Sequence, residues 1–439
     1  MSGIAFMRRI WVLMTTVFVD MIGFLIVLPL LPYYGERFGA TETTIGLLIS
    51  TFAFAQLTSS PLWGRLSDRV GRRPVILGSL LVSAGAFILF GLAESVWVLF
   101  FSRFVQGIGG GTTGVLQAYV SDSAPPEQRT KALGWVTAAT SAGVMVGPLI
   151  GSQATKLGEE WPGFIAAGLC LLNFAFAWRL LPESIGDEDT APDAATAAGT
   201  AAAGDRADPR PADEAAYGAP SPQRASLRRA ILEVLVHPAA ERSRLIWIYA
   251  LGMMAFMAMN GVIVLYLDRV FGVTAENIGW FYTYVGGVSL LMRALVLGPV
   301  NERLGDVKTM RLGALCLALG LGIAPWPEQI VGLAAVILLV PVGTALLFPA
   351  TTALVSRHSV RRETGQNLGV QQAFGGVMRM VGPIWSTAVF EHVGWDAPFW
   401  LASGLMVGVL AISLGLHGPP RREKTPAAAV AEAPPVEPA

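Results

Sequence analysis

Twelve apolar runs constrain this chain more than any other feature. They lie at residues 10–32, 44–63, 75–93, 97–121, 132–154, 162–181, 245–267, 277–298, 309–326, 329–355, 366–390 and 396–416. Most approach the ~20 residues that a helix needs to cross a bilayer. Inside lipid a backbone must satisfy its own hydrogen bonds, and a single segment does so as a helix. The runs therefore predict an all-α membrane protein with twelve transmembrane helices. Composition agrees: 53% of the 439 residues are hydrophobic and 14% are charged, against about 25% charged in soluble domains. The first run is too long for a signal-peptide core and no small-x-small cleavage site follows it, so it is expected to remain a span.

The remaining charges sit between the runs. Gly64-Arg65-Leu66-Ser67-Asp68-Arg69-Val70-Gly71-Arg72-Arg73-Pro74 carries five charges in eleven residues and is expected to be a short turn at the water surface. A weaker copy runs from Gly298 to Gly305. Gly64 maps to Gly298, Asp68 to Glu302, Arg69 to Arg303 and Gly71 to Gly305, all at an offset of 234. Gly147-Pro148 returns as Gly382-Pro383 at an offset of 235. A constant offset means duplication, a construction common among secondary transporters. The expectation is two pseudo-symmetric six-helix halves, 1–182 and 244–417. Residues 183–243 are rich in Ala, Pro, Asp and Gly with Tyr217 as the one aromatic, and read as a mostly disordered linker. Residues 226–236 of it are amphipathic and are expected to form a surface helix. The tail 418–439 reads as disordered.

Basic residues orient the chain. Of 31 Lys and Arg, 25 fall on the side that holds both termini and three (Arg37, Lys156, Arg269) on the other. The positive-inside rule makes both termini and the linker cytoplasmic. The last three, Arg103, Arg293 and Arg379, fall within runs.

Charges inside spans are costly and mark functional sites. Asp20 lies ten residues into the first run, about 15 Å at the helical rise and so near the midplane. Burial favours the neutral form of a carboxyl and a nearby cation the charged form, so such a group can take up and release a proton. The alternative is a helix contact, with Arg103 for instance. Arg103 opens Arg103-Phe104-Val105-Gln106-Gly107-Ile108-Gly109-Gly110-Gly111 and can tune an acid or hold an anion. Arg379 is about 20 Å from the cytoplasmic face by the same rise and is a candidate for substrate contact or charge balance. Arg293, near a run's end, is expected to snorkel. Uncharged polar residues near mid-span add pocket candidates: Gln56, Tyr119, Asn260, Tyr282, Tyr284, Gln371 and Gln372. Each competes with an ordinary helix-packing hydrogen bond. Gly143, Gly147 and Gly151 line one helix face beside Pro148, which suits close helix packing. In the charged loop the arginines alone (Arg65, Arg69, Arg72, Arg73) could merely enforce topology. Asp68 and the bounding glycines Gly64 and Gly71 point instead to a conformational latch, shared with Glu302 and Arg303.

Other chemistries lack support. Cys170 and Cys316 fall in different halves, and His237, His358, His392 and His417 fall in loops or at run ends. No metal-ligand spacing and no nucleotide-binding loop is present, so neither metal nor cofactor is expected, and the sequence argues against a metalloenzyme or an ATP-driven pump. Net charge is zero, with no basic block for nucleic acid.

The charged loop, the Arg103 glycine segment and the Gly143–Gly151 segment together resemble the major facilitator superfamily, and more narrowly its twelve-span drug/proton antiporters. Val19-Asp20-Met21-Ile22-Gly23 with Leu28-Pro29-Leu30-Leu31-Pro32 is similar to the first span of tetracycline exporters, as are Leu267-Asp268-Arg269-Val270-Phe271 and the segment from Gly298 to Gly313. The resemblance implies alternating access governed by the charged loop, export associated with the Gly-Pro motif, and a role for Asp20 in the site. Tetracycline exporters carry a histidine in span eight and an acid in span nine, where this chain has Ser289 and Leu317. That leaves proton coupling to Asp20, with Arg103 beside it. The implied partners are a small organic substrate, protons and the lipid bilayer of a bacterial inner membrane, with the monomer as working unit. Uptake or facilitated diffusion of a metabolite on the same fold is the first alternative. A non-transporting receptor is the second, which Asp20, Arg103 and Arg379 count against.

Overall fold

The computed structural model describes residues 3–123, 129–183, 227–359 and 363–416. Most of the expected linker and the tail 418–439 lie outside the described residues. Among the described residues twelve helices, some of them interrupted, run through the molecule. In the first half these are α1 (Gly3–Val27, prolonged through Leu28–Leu30 and Leu31–Arg37), α2 (Glu42–Val70) and α3 (Arg72–Gly91). They continue as α4 (Val96–Gly110, resuming as Thr113–Ser123), α5 (Arg129–Ala154) and α6 (Trp161–Leu180). The second half holds α7 (Glu241–Phe271), α8 (Ile278–Leu291, a π-helical turn Met292–Val296, then Leu297–Leu304) and α9 (Asp306–Ile323). It closes with α10 (Ile330–Ile337 and Leu339–Arg357), α11 (Thr364–His392) and α12 (Ala397–Ser413). Leu227–Val236 forms a short separate helix, anchored by Ala230 and Val234 and tied to α7 by a 2.6 Å Glu233–Arg242 ion pair.

Eight of these helices are long and apolar enough to cross a membrane by those measures alone. The other four break one criterion each. α4 is interrupted at Gly111-Thr112, α9 carries Asp306, Lys308 and Arg311, α11 dilutes its apolar residues with Gln366, Asn367, Gln371, Gln372 and Arg379, and α12 has only 17 residues.

One local expectation is corrected. The charged stretch from Gly64 is not a loop. Gly64–Val70 completes α2, and the chain turns at Gly71 alone, at φ 98°. Gly305 does the same after α8 at φ 77°. Both sit in a backbone region open essentially to glycine, so one residue suffices for the turn and the helix can carry its charges past the membrane edge.

Packing repeats after six helices. α1 packs on α5 and α6, as α7 packs on α11 and α12; α3 packs on α4 and α6, as α9 packs on α10 and α12. Between the halves α2 meets α11 and α5 meets α8, an exchange that a pseudo-two-fold axis requires. Glycine sets the closest approaches. A Cβ on Gly147 would lie 2.8 Å from the Ile22 carbonyl oxygen and 2.9 Å from Leu25 Cβ, and Gly143 and Gly151 meet the α1 backbone one turn to either side. Gly382 meets α7 in the same way, 2.9 Å from the Met254 oxygen. These are contacts that any side chain would push apart.

Candidate substrate and proton site

The halves join at one end of the molecule. At the end where α1 leads into α2, the far end, the Thr43 N–H donates to Glu391 Oε2 at 2.8 Å and Ser50 Oγ to the Met380 oxygen at 2.7 Å. Tyr33 Oη donates to the Val273 oxygen at 2.6 Å and Thr283 Oγ1 to the Met145 oxygen at 3.1 Å. Arg269 of α7 reaches across to Glu42 and, at 3.5 Å, to Glu36. Its guanidinium rests on two rings of its own half, 5.4 Å from Phe390 and 5.9 Å from Trp395. This inter-half cluster was not foreseen from the sequence, where Arg269 served to count charge and to carry part of the resemblance. The near end is the one where α1 begins and α12 stops.

Between the halves lies a cavity of about 1150 Å³, running from Pro32 and Ile49 toward Gly365 and Gln117. Asp20, Arg103, Arg379, Gln56, Asn260 and Tyr282 all line it. Asp20 is half-buried, and among the described residues it makes no hydrogen bond or ion pair. It does not pair with Arg103. Arg103 is fully buried, donates from Nη1 to Gln106 Oε1, and packs its guanidinium 5.0 Å from the Phe52 ring centre and 5.8 Å from that of Phe24. Such cation–π contacts stabilise a desolvated guanidinium. Arg379 is half-buried with its Nε buried and without a partner. Gln56 donates to the Gly110 oxygen at 3.0 Å, and Asn260 to the Phe256 oxygen of its own helix at 2.8 Å.

Other candidates fall elsewhere. Tyr119 is buried and donates to the Pro182 oxygen at 2.7 Å, a packing bond. Tyr284 points outward and bonds the Ala334 oxygen at 3.0 Å. Gln371 is buried against Thr352 at 3.3 Å, and Gln372 accepts from Tyr249 at 3.4 Å. None of the four lines the cavity. Gln106, Thr137, Thr140, Phe24 and Phe52 do, and were not singled out. Gln106 was accessible to reasoning, because it stands three residues after Arg103 and thus on the same helix face. Among the described residues no group of His, Cys, Asp and Glu could hold a metal ion.

The charged segment forms a network within the first half. Arg72 binds Asp68 at 2.5 Å, Ser67 Oγ at 2.6 Å and Asp122 of α4 at 3.2 Å. The Glu183 carboxylate accepts from the Arg72 and Arg73 N–H groups at 2.9 and 3.2 Å, which places negative charge at the start of α3. Arg69 is exposed, as are Glu302 and Arg303. In the second half Asp306 begins α9 and pairs with Arg357 of α10 at 2.9 Å. The ion pair Arg72–Asp122 thus recurs with its charges exchanged.

Two six-helix halves around a central cavity define the architecture of a secondary transporter. The chain belongs to the Major Facilitator Superfamily, whose family profile matches residues 13–296 and 245–438. It is an integral membrane transporter and not an enzyme. Multidrug resistance protein 2 of Bacillus subtilis (strain 168) is 26% identical over 424 residues, covering 95% of this chain and 96% of that protein. The class E tetracycline resistance protein of Escherichia coli is 26% identical over 416 residues, covering 93% and 95%. The crystal structure of a peptide transporter, POT, shares the fold at a TM-score of 0.70 with 15% identity, covering 92% of this chain and 93% of that one.

Proposed function

We propose that this transporter is a proton-coupled exporter of small, drug-like organic molecules that works by alternating access. One observation carries the reading: Asp20, the one carboxylate among the cavity-lining residues, has no partner among the described residues. An unpaired carboxylate at that depth is free to exchange a proton for a substrate. Arg103, held by Gln106 and two rings, is a fixed cation lining the same cavity. The multidrug and tetracycline resistance relatives favour export over uptake. The basic-residue count assigns the near end, both termini and the linker to the cytoplasm. Asp68 and Arg72 act as a latch when the near end closes and the far-end contacts release. The monomer, in a bacterial cell membrane, is the working unit.

Everted membrane vesicles test this reading. Respiration acidifies their lumen, and a proton-coupled exporter then accumulates a fluorescent amphiphile that a protonophore releases. Accumulation indifferent to the protonophore, or movement in the opposite direction, overturns it.

A further inference from the structure

We infer that the substrate is zwitterionic, with a cationic nitrogen that meets Asp20 on α1 and an anionic oxygen group that meets Arg379 on α11. The recognition stands on the cavity alone; its consequence for transport rests on the exporter reading.

Three charged side chains line the cavity: Asp20, Arg103 and Arg379. Arg103 is occupied, by Gln106 at Nη1 and by the Phe24 and Phe52 rings, although its Nε, like that of Arg379, is buried without an acceptor. Asp20 and Arg379 are not. Among the described residues neither makes a hydrogen bond, ion pair or ring contact, and Arg379 Nε is buried without an acceptor. Leaving a charged donor buried and unpaired is costly, and natural sites that do so commonly complete the pair with a ligand. The two charges have opposite sign, share one cavity and yet do not pair with each other, so a ligand must answer each separately. They also belong to opposite halves. A ligand held at both ends spans the interface that closes during transport. Phe24, Phe52, Tyr282 and Met257 line the same cavity and suit an apolar, aromatic body. The division of labour gives antiport directly. A proton on Asp20 removes the counter-charge for the cationic end, while the Arg379 guanidinium keeps its hold on the anionic end.

A capping series on one scaffold tests the assignment: an aminomethyl naphthoate, its carboxamide, its N-acetyl derivative, and the neutral compound with both caps. Binding is measured by titration calorimetry on the full-length protein in detergent, with no gradient. The zwitterion is expected to bind tightest and the carboxamide roughly tenfold or more weaker, the scale of one charge-assisted hydrogen bond. Arg379→Gln should abolish the advantage of the carboxylate and leave the carboxamide unchanged. Arg379→Lys should keep part of it, which separates charge recognition from misfolding. Asp20→Asn should abolish the advantage of the ammonium. The inference is overturned if the carboxamide equals the zwitterion, if Arg379→Gln weakens all four compounds alike, or if none binds. Selective binding of the zwitterion without gradient-driven accumulation in vesicles would uphold the site and reject the exporter reading. Gradient-driven accumulation of an uncharged dye, with equal binding of all four compounds, would reject the inference alone.

Discussion

Removing Arg269 should open the far end. Its guanidinium is the one cation that ties α7 to both Glu42 and Glu36 across the halves, and all three side chains are at most 31% exposed. Hydrogen bonds to charged groups contribute about 1.5–3 kcal/mol, and partly exposed ion pairs about 0.2–1 kcal/mol. Counting Glu42 near the bottom of the first range and Glu36, at 3.5 Å, within the second makes the two links worth about 2 kcal/mol. The Phe390 and Trp395 rings lie in the same half as Arg269, so they position it without adding to the interface. At 1.4 kcal/mol per tenfold, Arg269→Gln shifts the balance at the far end about 30-fold toward open. A closed-to-open ratio of about 100 would fall to about 3, from a minor population that is hard to see to one that is plain. Spin labels at Leu157 and Val393, which are 66% and 73% exposed on opposite halves at that end, report it by pulsed dipolar spectroscopy. Wild type should give one short distance and Arg269→Gln a second, longer one. Superimposable distributions in a folded Arg269→Gln variant would refute the reasoning.

Glu36→Gln removes only the weaker link of Arg269 and should move the Leu157–Val393 distances in the same direction as Arg269→Gln, by less. Gly147→Ala places a Cβ 2.8 Å from a carbonyl oxygen of α1, and should cost about 1–3 kcal/mol by overpacking; Gly78→Ala, with nothing within 4 Å, should be neutral or slightly stabilising. Thermal unfolding in detergent compares them. Arg72→Asp breaks the contacts to Asp68, Ser67 and Asp122 and should lower both stability and transport. Adding Asp122→Arg should recover part of the loss, because the second half already uses that polarity in Asp306–Arg357.

Position along each helix was legible in the sequence, and rotation about the helix axis was not. Counting residues from the run ends placed Asp20 near the midplane and Arg379 well inside, and both line the cavity. The same counting could not separate Tyr282 from Tyr284. They are two residues apart, about 200° around a helix, so one faces the cavity and the other faces out. Spans that are apolar all round offer no moment from which to choose a face. The duplication was legible at the glycines and the Gly-Pro pairs. The pair Arg72–Asp122 and its counterpart Asp306–Arg357 were hidden, because exchanged charges look like divergence in a sequence copy. The far-end cluster was hidden for another reason: Glu42 and Arg269 are 227 residues apart, and only the docking of two halves brings them together. The turn at Gly71 was misread as a longer loop because charge density marks the membrane edge, not the helix end.

The central claim is that Asp20 couples the proton gradient to transport. Purified protein in proteoliposomes, with an imposed pH gradient and a labelled substrate, tests it in one comparison. Wild type should accumulate substrate on the acidic side against its own gradient. Asp20→Asn should lose this uphill movement yet still exchange labelled for unlabelled substrate when no pH gradient is present, since the cavity and the rocking of the halves remain. Uphill, pH-driven accumulation by Asp20→Asn at the wild-type level would contradict the account.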